Sequence, residues 1–94
     1  MMDTDVHLPR CVVEVYTGQD FVRLTCTRLV ADKLLVIERV EVENTYAQYS
    51  FDPNLNLLSV RPKYEEVVAV TIDRARDVAA DVLANYVGFT IGKE

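Results

Sequence analysis

The sequence predicts an α+β fold, an antiparallel meander of about five strands with one long C-terminal helix packed on one face. Two patterns predict it. The first two thirds of the chain consist of short runs rich in Val, Thr and aromatic residues, separated by turn residues. The last third repeats apolar residues at spacings of three and four. A chain of 94 residues supports one core, so we expect a single domain over 1–94 with a flexible tail over 1–9.

The composition excludes several classes of protein. The chain has 15 Asp and Glu against 10 Lys and Arg, a net charge of -5, and half of its residues are hydrophobic. Disordered segments are less apolar, and a nucleic-acid binder needs clustered basic residues, so we expect neither. No apolar run is long enough to span a membrane, and the N-terminal residues lack the apolar stretch of a secretory signal. We therefore predict a cytoplasmic protein whose Cys11 and Cys26 are thiols.

The first two predicted strands, 10–17 and 21–30, form a hairpin around Gly18. Glycine at the first position of a two-residue loop favours a type II′ turn, because that position requires a positive φ angle. The resulting register places Cys11 opposite Cys26 on an apolar face and aligns charged and aromatic residues on the other face. A shift by one residue would destroy both patterns.

The third and fourth predicted strands, 34–43 and 45–51, continue the meander. A tight turn at Glu43-Asn44 would place Ala47 beside Val40, and Asn suits such a turn because it tolerates a left-handed backbone. A single bent strand without this turn is the alternative.

A loop and a short strand complete the predicted sheet. In the segment 52–56 an Asp precedes a Pro and an Asn follows it, which is typical of a type I turn. A fifth strand over 57–61 follows, and Pro62 prevents its continuation into a central position of the sheet.

The C-terminal helix has a clear apolar stripe but two candidate starts. Pro62 followed by two Glu is typical of a first helical turn. The alternative is a strand over Val67–Val70 with an N-cap at Thr71. We favour the longer helix. Gly88 fits the position just after the helix, with Phe89 as its hydrophobic contact. The stripe consists of Ile72, Ala75, Ala79, Val82 and Tyr86.

Three aspartates, termed the acidic strip, lie opposite this stripe at a spacing of four. They are Asp73, Asp77 and Asp81. We favour a plain solvated face, where Arg74 and Arg76 offset part of the repulsion. A docking surface for a basic partner is the alternative. The segment 64–87 holds five acidic and two basic residues, so most of the negative charge belongs to the helix.

Three polar residues suggest a possible pocket in the sheet: Arg28, Glu38 and Tyr49. The predicted registers place Glu38 and Tyr49 in the row of the two cysteines, with Arg28 diagonal to Glu38. A buried carboxylate must be paired or hydrogen-bonded. One hypothesis is a small polar pocket with a perturbed carboxyl group. We favour the other, a β-bulge near Glu38 that turns the charge towards solvent, because it also explains the broken alternation of apolar residues there.

The sheet face away from the helix carries the candidate partner-binding residues. They are Tyr16, Phe21, Tyr46, Arg23, Arg39 and Glu41. Aromatic clusters on an uncovered sheet mark interaction surfaces, and Tyr and Arg supply much of the energy of such contacts. Stacking of single-stranded bases is the alternative, but the Glu residues predicted for this face disfavour it.

The sequence therefore predicts a non-enzymatic protein-binding or assembly module, a homodimer that uses the open sheet face. One alternative is a small acidic inhibitor that docks on a larger protein through its helix. Another is a small-ligand pocket between sheet and helix. We predict no catalytic residue and no cofactor, because the sequence has no Gly-rich phosphate loop and no recognisable motif that combines a Ser or Cys nucleophile with its single His. One His and two Cys cannot supply a four-ligand zinc site, so we predict no metal.

Overall fold

The computed structural model of the protein describes residues 10–29, 34–64, 67–85 and 90–93. In chain order the elements are β1 (Arg10–Thr17), β2 (Asp20–Leu29), β3 (Leu34–Glu43), β4 (Ala47–Phe51), β5 (Leu57–Pro62), α1 (Ala69–Asn85) and β6 (Thr90–Lys93). Strands β1 to β5 form one antiparallel sheet in sequential order, and α1 packs against one of its faces. The predicted α+β meander is confirmed. The predicted N-terminal tail lies outside the described residues.

The β1–β2 hairpin has the predicted register, with Cys11 opposite Cys26 and Tyr16 opposite Phe21. Gly18 has a φ angle of 62°, and it is the one residue of this turn with a positive value. That combination is the type II′ geometry, whose twist matches the twist of the two strands.

A β-bulge interrupts the pairing of β2 with β3. Thr25 pairs with Arg39, but the next residue, Cys26, pairs with Ile37, so Glu38 is the extra residue. The bulge shifts the alternation of side chains by one position, which brings Ile37 into the core while Glu38 stays half-buried. The predicted bulge is confirmed, but it turns Glu38 only partly towards solvent.

The predicted register of β4 is wrong, because Phe51 rather than Ala47 lies beside Val40. The turn is wider than predicted, and Asn44 organises it. The side-chain oxygen of Asn44 accepts hydrogen bonds from the backbone N–H groups of Tyr46 (2.9 Å) and Ala47 (3.1 Å). The shift leaves the same residues on the apolar face, since side chains alternate with a period of two, and hydrophobic pattern alone could not exclude it.

The fifth strand forms where predicted, as β5 at the edge of the sheet. Asp52 organises the loop before it. One carboxylate oxygen of Asp52 accepts hydrogen bonds from the backbone N–H groups of Asn54 (2.8 Å) and Asn56 (2.9 Å). The backbone carbonyl of Asp52 accepts a further bond from the N–H of Leu55, which closes the turn.

Helix α1 begins at Ala69, so neither predicted start is correct. Pro62 is the last residue of β5 and pairs with β4, which leaves it unavailable to begin a helix. The strand predicted over Val67–Val70 does not form, because its second half is helical. Thr71 lies within the first turn, where its hydroxyl donates to the carbonyl of Val68 (2.7 Å).

A sixth strand, β6, pairs in parallel with residues Leu34–Ile37 of β3 and was not predicted from the sequence. On the same edge of β3, β4 pairs only with Val40–Glu43. Strand β6 therefore satisfies backbone groups of β3 that β4 does not reach. A segment of four residues is too short to show a periodic pattern. The predicted contact of Gly88 and Phe89 lies outside the described residues.

The core lies between the sheet and α1. Its buried residues are Val22, Leu24, Cys26, Ile37, Val40, Val42, Ala47, Tyr49, Phe51, Ala75, Ala79 and Val82. Helix α1 contributes two fully buried alanines, and these small side chains allow the helix to approach the sheet closely. The rings of Tyr49 and Phe51 stack in the space between, with centroids 6.5 Å apart.

An ion pair between the buried Asp20 and the half-exposed Arg74 fixes α1 to the turn end of the sheet. The carboxylate of Asp20, only 3% exposed, accepts two hydrogen bonds from the guanidinium of Arg74 (3.2 and 3.0 Å). It accepts a third from the side chain of Asn44 (3.1 Å). Three segments thus meet at one carboxylate. The sequence pattern placed Arg74 only as a partner of the acidic strip, because a contact so distant in sequence leaves no local signal.

Candidate functional site

The sheet face opposite α1 is uncovered in the described part of the chain and is termed the outer face. The members of this face follow from the alternation of side chains along each strand, since the residues between the buried ones must point away from the core. Its residues are Val12, Glu14, Tyr16, Phe21, Arg23, Thr25, Arg39, Glu41, Glu43, Gln48, Ser50, Ser59 and Arg61. Most of the predicted partner-binding residues are on this surface.

An aromatic pair occupies one corner of the outer face. Tyr16 is 81% exposed, and its ring packs on that of Phe21 with a centroid distance of 4.8 Å and a tilt of 38°. The guanidinium carbon of Arg23 lies 5.4 Å from the centre of the Phe21 ring, which is a cation–π distance. Val12, further along β1, is 53% exposed. The hairpin register therefore brings apolar and cationic groups together in front of solvent.

Two charged pairs cross the outer face. Arg23 binds Glu14 at 3.1 Å, and Lys63 at the end of β5 binds Glu43 at 2.9 Å. The hydrogen bond from Lys63 lowers the pKa of Glu43, and the charge of Lys63 adds to this effect. Both pairs are about half exposed, so each contributes little to stability, about 0–1 kcal/mol. They hold extended side chains in place along the surface.

Arg39 and Glu41 of β3 occupy the centre of the outer face. They line two shallow, open depressions. One, of about 340 Å³, continues to Arg10 and Glu38, and the other, of about 290 Å³, continues to Arg61. Among the residues that the structure describes, no hydrogen bond or ion pair engages the side chains of Arg39 or Glu41. Both charges are therefore available to a partner.

Tyr46 lies apart from the other predicted partner-binding residues. It is part of the loop between β3 and β4, where its carbonyl accepts a hydrogen bond from the backbone N–H of Lys63 (2.9 Å). It is close enough to Arg74 to influence it. The pKa of Arg74 is raised first by its hydrogen bonds to Asp20 and by the charge of that carboxylate, with a smaller contribution from Tyr46. The tyrosine thus belongs to the turn end of the sheet.

The structure does not bring the three residues of the possible polar pocket together. The carboxylate of Glu38 accepts a hydrogen bond from the hydroxyl of Thr27 (2.7 Å) and pairs with Arg10 at 3.2 Å. Tyr49 pairs instead with Val42, further along β3, because of the register shift of β4. Its hydroxyl is buried and has no hydrogen-bond partner within the described residues. The side chain of Arg28 lies outside them.

The acidic strip is exposed along its whole length. Asp73 pairs with Arg76 at 2.7 Å. Arg76 is also bound at its other side, since its Nε donates to the carbonyl of Leu55 (2.9 Å) and its guanidinium lies 5.6 Å from the Phe51 ring. Arg76 therefore connects α1 to the loop before β5, which the sequence did not predict. In the described ranges, no cluster of His, Cys, Asp and Glu could hold a metal ion.

Comparisons with protein-family models, with curated proteins and with solved structures each found no match to this chain. Within the part of the chain that the structure covers, no helix has the length and apolar character needed to cross a membrane.

Proposed function

We propose that this protein is a non-enzymatic assembly module that forms a homodimer through its outer face. The observation that carries the proposal is the aromatic corner, where Tyr16 is 81% exposed on top of Phe21. Aromatic side chains bury a large area at a low cost in side-chain entropy, which suits them to the centre of an interface.

The charges of the outer face favour a second copy as the occupant. A two-fold axis places the same surface against itself, so a self-complementary face needs both signs of charge. The outer face carries the unengaged Arg39 beside the unengaged Glu41. Two copies related by a two-fold axis at this point can pair each Arg39 with the Glu41 of the other copy.

Most of the negative charge of the chain lies away from the proposed contact between two outer faces. Its acidic strip lies on the exposed side of α1, and the helix packs on the other face of the sheet. Charges separated by more than about 8–10 Å are largely screened at physiological ionic strength. The outer faces of two copies therefore approach without strong repulsion.

Light scattering on the purified protein tests the proposal. We expect the wild type to have the mass of a dimer and the double variant Tyr16→Ala/Phe21→Asp to have the mass of a monomer. Tyr64→Ala is the matched control, because Tyr64 is equally exposed (83%) but lies outside the outer face. The control should retain the mass of the dimer.

Two results would contradict the proposal. One is a folded double variant that retains the mass of the wild type. The other is a wild type that stays monomeric at high concentration. A stable interface of standard size buries about 800 Å² of each partner, and we expect such an interface to form at that concentration. Circular dichroism establishes whether each variant is folded.

A second candidate function is that of a small acidic inhibitor that docks through the acidic strip. The exposed carboxylates of Asp77 and Asp81 support it, and no ion pair neutralises them in the described chain. For a basic protein recovered in complex with the wild type, the variant Asp77→Lys/Asp81→Lys should bind more weakly and with a flatter salt dependence. Unchanged affinity would exclude this surface.

A further inference from the structure

Two thiols face each other across the β1–β2 hairpin. Cys11 and Cys26 are directly paired in the register, and their sulfur atoms lie 3.0 Å apart. Both are free cysteines. Cys26 is completely buried in the core, whereas Cys11 is only partly buried. The pair lies on the apolar side of the sheet and takes no part in the outer face.

We propose that Cys11 and Cys26 form an oxidation site, at which a small disulfide such as oxidised glutathione converts the two thiols into an intramolecular disulfide. The register makes this possible. Directly opposite residues in a hydrogen-bonded antiparallel pair have Cα atoms about 5.5 Å apart, which is within the range of protein disulfides. The sulfur atoms are already in contact, so only a small adjustment of the two side chains is required.

The adjacent bulge allows that adjustment. Strand β1 is at the edge of the sheet and pairs only with β2 in the described chain. On the other side of Cys26 the ladder is interrupted at the register shift that leaves Glu38 unpaired. A bulge increases the local twist and loosens the ladder, so strand movement at this point costs less than in a regular sheet.

The difference in burial between Cys11 and Cys26 determines which of the two thiols reacts first with the small disulfide. The thiolate of Cys11, the accessible residue, attacks one sulfur of the small disulfide, forming a mixed disulfide and releasing one small thiolate. The sulfur of Cys26 then attacks the sulfur of Cys11, forms the protein disulfide and expels the second small thiolate. The protons of the two cysteines pass to the two released thiolates. The protein thus loses two electrons, and the small disulfide is reduced to two thiols.

The environment of Cys26 agrees with this order. Burial, followed by the hydrogen bond with Cys11, raises the pKa of Cys26 to about 12. Cys26 therefore remains a thiol at neutral pH and does not compete for the first attack. Formation of the mixed disulfide removes the hydrogen bond and the charge of Cys11, two of the causes that raise the pKa of Cys26, so Cys26 loses its proton more readily in the second step.

Intact mass spectrometry after incubation with oxidised glutathione tests the proposal. We expect the wild type to become lighter by two hydrogen atoms and to stay a single covalent chain. Cys26→Ser should accumulate the glutathione adduct, because the second step is removed, and Cys11→Ser should react far more slowly. In urea, where the strands are separated, the glutathione adduct of the wild type should convert to the protein disulfide about tenfold or more slowly.

Other products would overturn the proposal. These are a persistent glutathione adduct on the wild type, a disulfide between two chains, or no reaction in the folded state. Equal rates of protein disulfide formation from the adduct in buffer and in urea would show that the fold does not bring Cys11 and Cys26 together for this reaction. The urea comparison uses the wild type alone, so it remains decisive if a serine variant fails to fold. Light scattering under reducing conditions is a separate measurement, so this inference and the proposed dimer can fail independently.

Discussion

Asp20 is a buried carboxylate at which three segments of the chain meet. It accepts hydrogen bonds from Arg74 of α1 and from Asn44 of the β3–β4 loop. We expect Arg74→Met to lower the free energy of unfolding by about 1–3 kcal/mol, because the carboxylate of Asp20 then keeps only its hydrogen bond from Asn44. Urea unfolding followed by circular dichroism measures this change.

A double-mutant cycle is the control for this ion pair. Asp20→Asn removes the charge, so Arg74→Met in that background should cost less than it does in the wild type. If Arg74→Met unfolds at the same urea concentration as the wild type, the ion pair does not hold the helix on the sheet.

Asp52 is expected to titrate below the ordinary range of an aspartate. Hydrogen bonds from the backbone and then the side chain of Asn56 lower its pKa from the ordinary value of 3.8. A group with a lowered pKa in the folded state stabilises the fold above its unfolded-state value and loses this contribution as the pH falls through the lowered value. Carboxyl titration by NMR measures it, and Asn56→Ala should raise the pKa of Asp52. An unchanged pKa in that variant would contradict the assignment.

For single strands and hairpins, the prediction from sequence was correct where two independent features of the sequence required the same arrangement. The β1–β2 register was predictable because Gly18 set the turn and the apolar row had to face inward. The bulge at Glu38 was predictable because a carboxylate interrupted an apolar row. The register of β4 was not, since a loop organised by Asn44 can change in length while the same residues stay on each face.

The start of α1 depended on contacts that are distant in sequence. Pro62 and the acidic residues after it resemble a first helical turn, but Pro62 pairs with Ala47 in the sheet. The helix begins at Ala69 and has no acidic residue in its first turn. The residues around Pro62 therefore do favour the start of a helix, but the pairing of Pro62 in the sheet prevents a helix from forming there.

The absence of an acidic residue in the first turn of α1 gives a prediction. Val70 is 69% exposed there, so Val70→Glu should raise the free energy of unfolding by about 0.3–1 kcal/mol through the helix dipole. Val70→Gln controls for helix propensity and side-chain size, and urea unfolding compares the two. Equal stability of the Glu and Gln variants would indicate that the helix begins further towards the N terminus, where position 70 no longer lies near the dipole.

For the whole molecule, the sequence anticipated the composition of the outer face better than its arrangement. Tyr16, Phe21 and Arg23 come together because their positions follow from a correctly predicted hairpin. Tyr46 lies elsewhere because a loop, rather than a strand, positions it. Glu38 and Tyr49 were paired by a register that the structure does not have. The position of a site residue was thus predicted correctly only where the register of its strand was predicted correctly.

The arrangement of charge over the molecule leads to a prediction for the dimer. If each Arg39 pairs with the Glu41 of the other copy, Arg39→Glu makes both contacts acidic and Glu41→Arg makes both basic. Each single variant should therefore dimerise more weakly, by about tenfold for two exposed charge contacts. An equal mixture of the two variants should form a heterodimer, because every contact then joins opposite charges. Analytical ultracentrifugation of each variant and of the mixture measures the three affinities.

The mixture also separates a face-to-face dimer from a general effect of charge. A variant with altered net charge but no defined contact would change all three affinities according to the total charge of the pair. Lys63→Glu supplies that comparison, because it reverses a charge at the margin of the outer face, where Lys63 already binds Glu43. If the mixture of Arg39→Glu and Glu41→Arg associates no better than either variant does alone, the two residues do not meet across a two-fold axis. Recovery of affinity in the mixture alone would place that axis between Arg39 and Glu41.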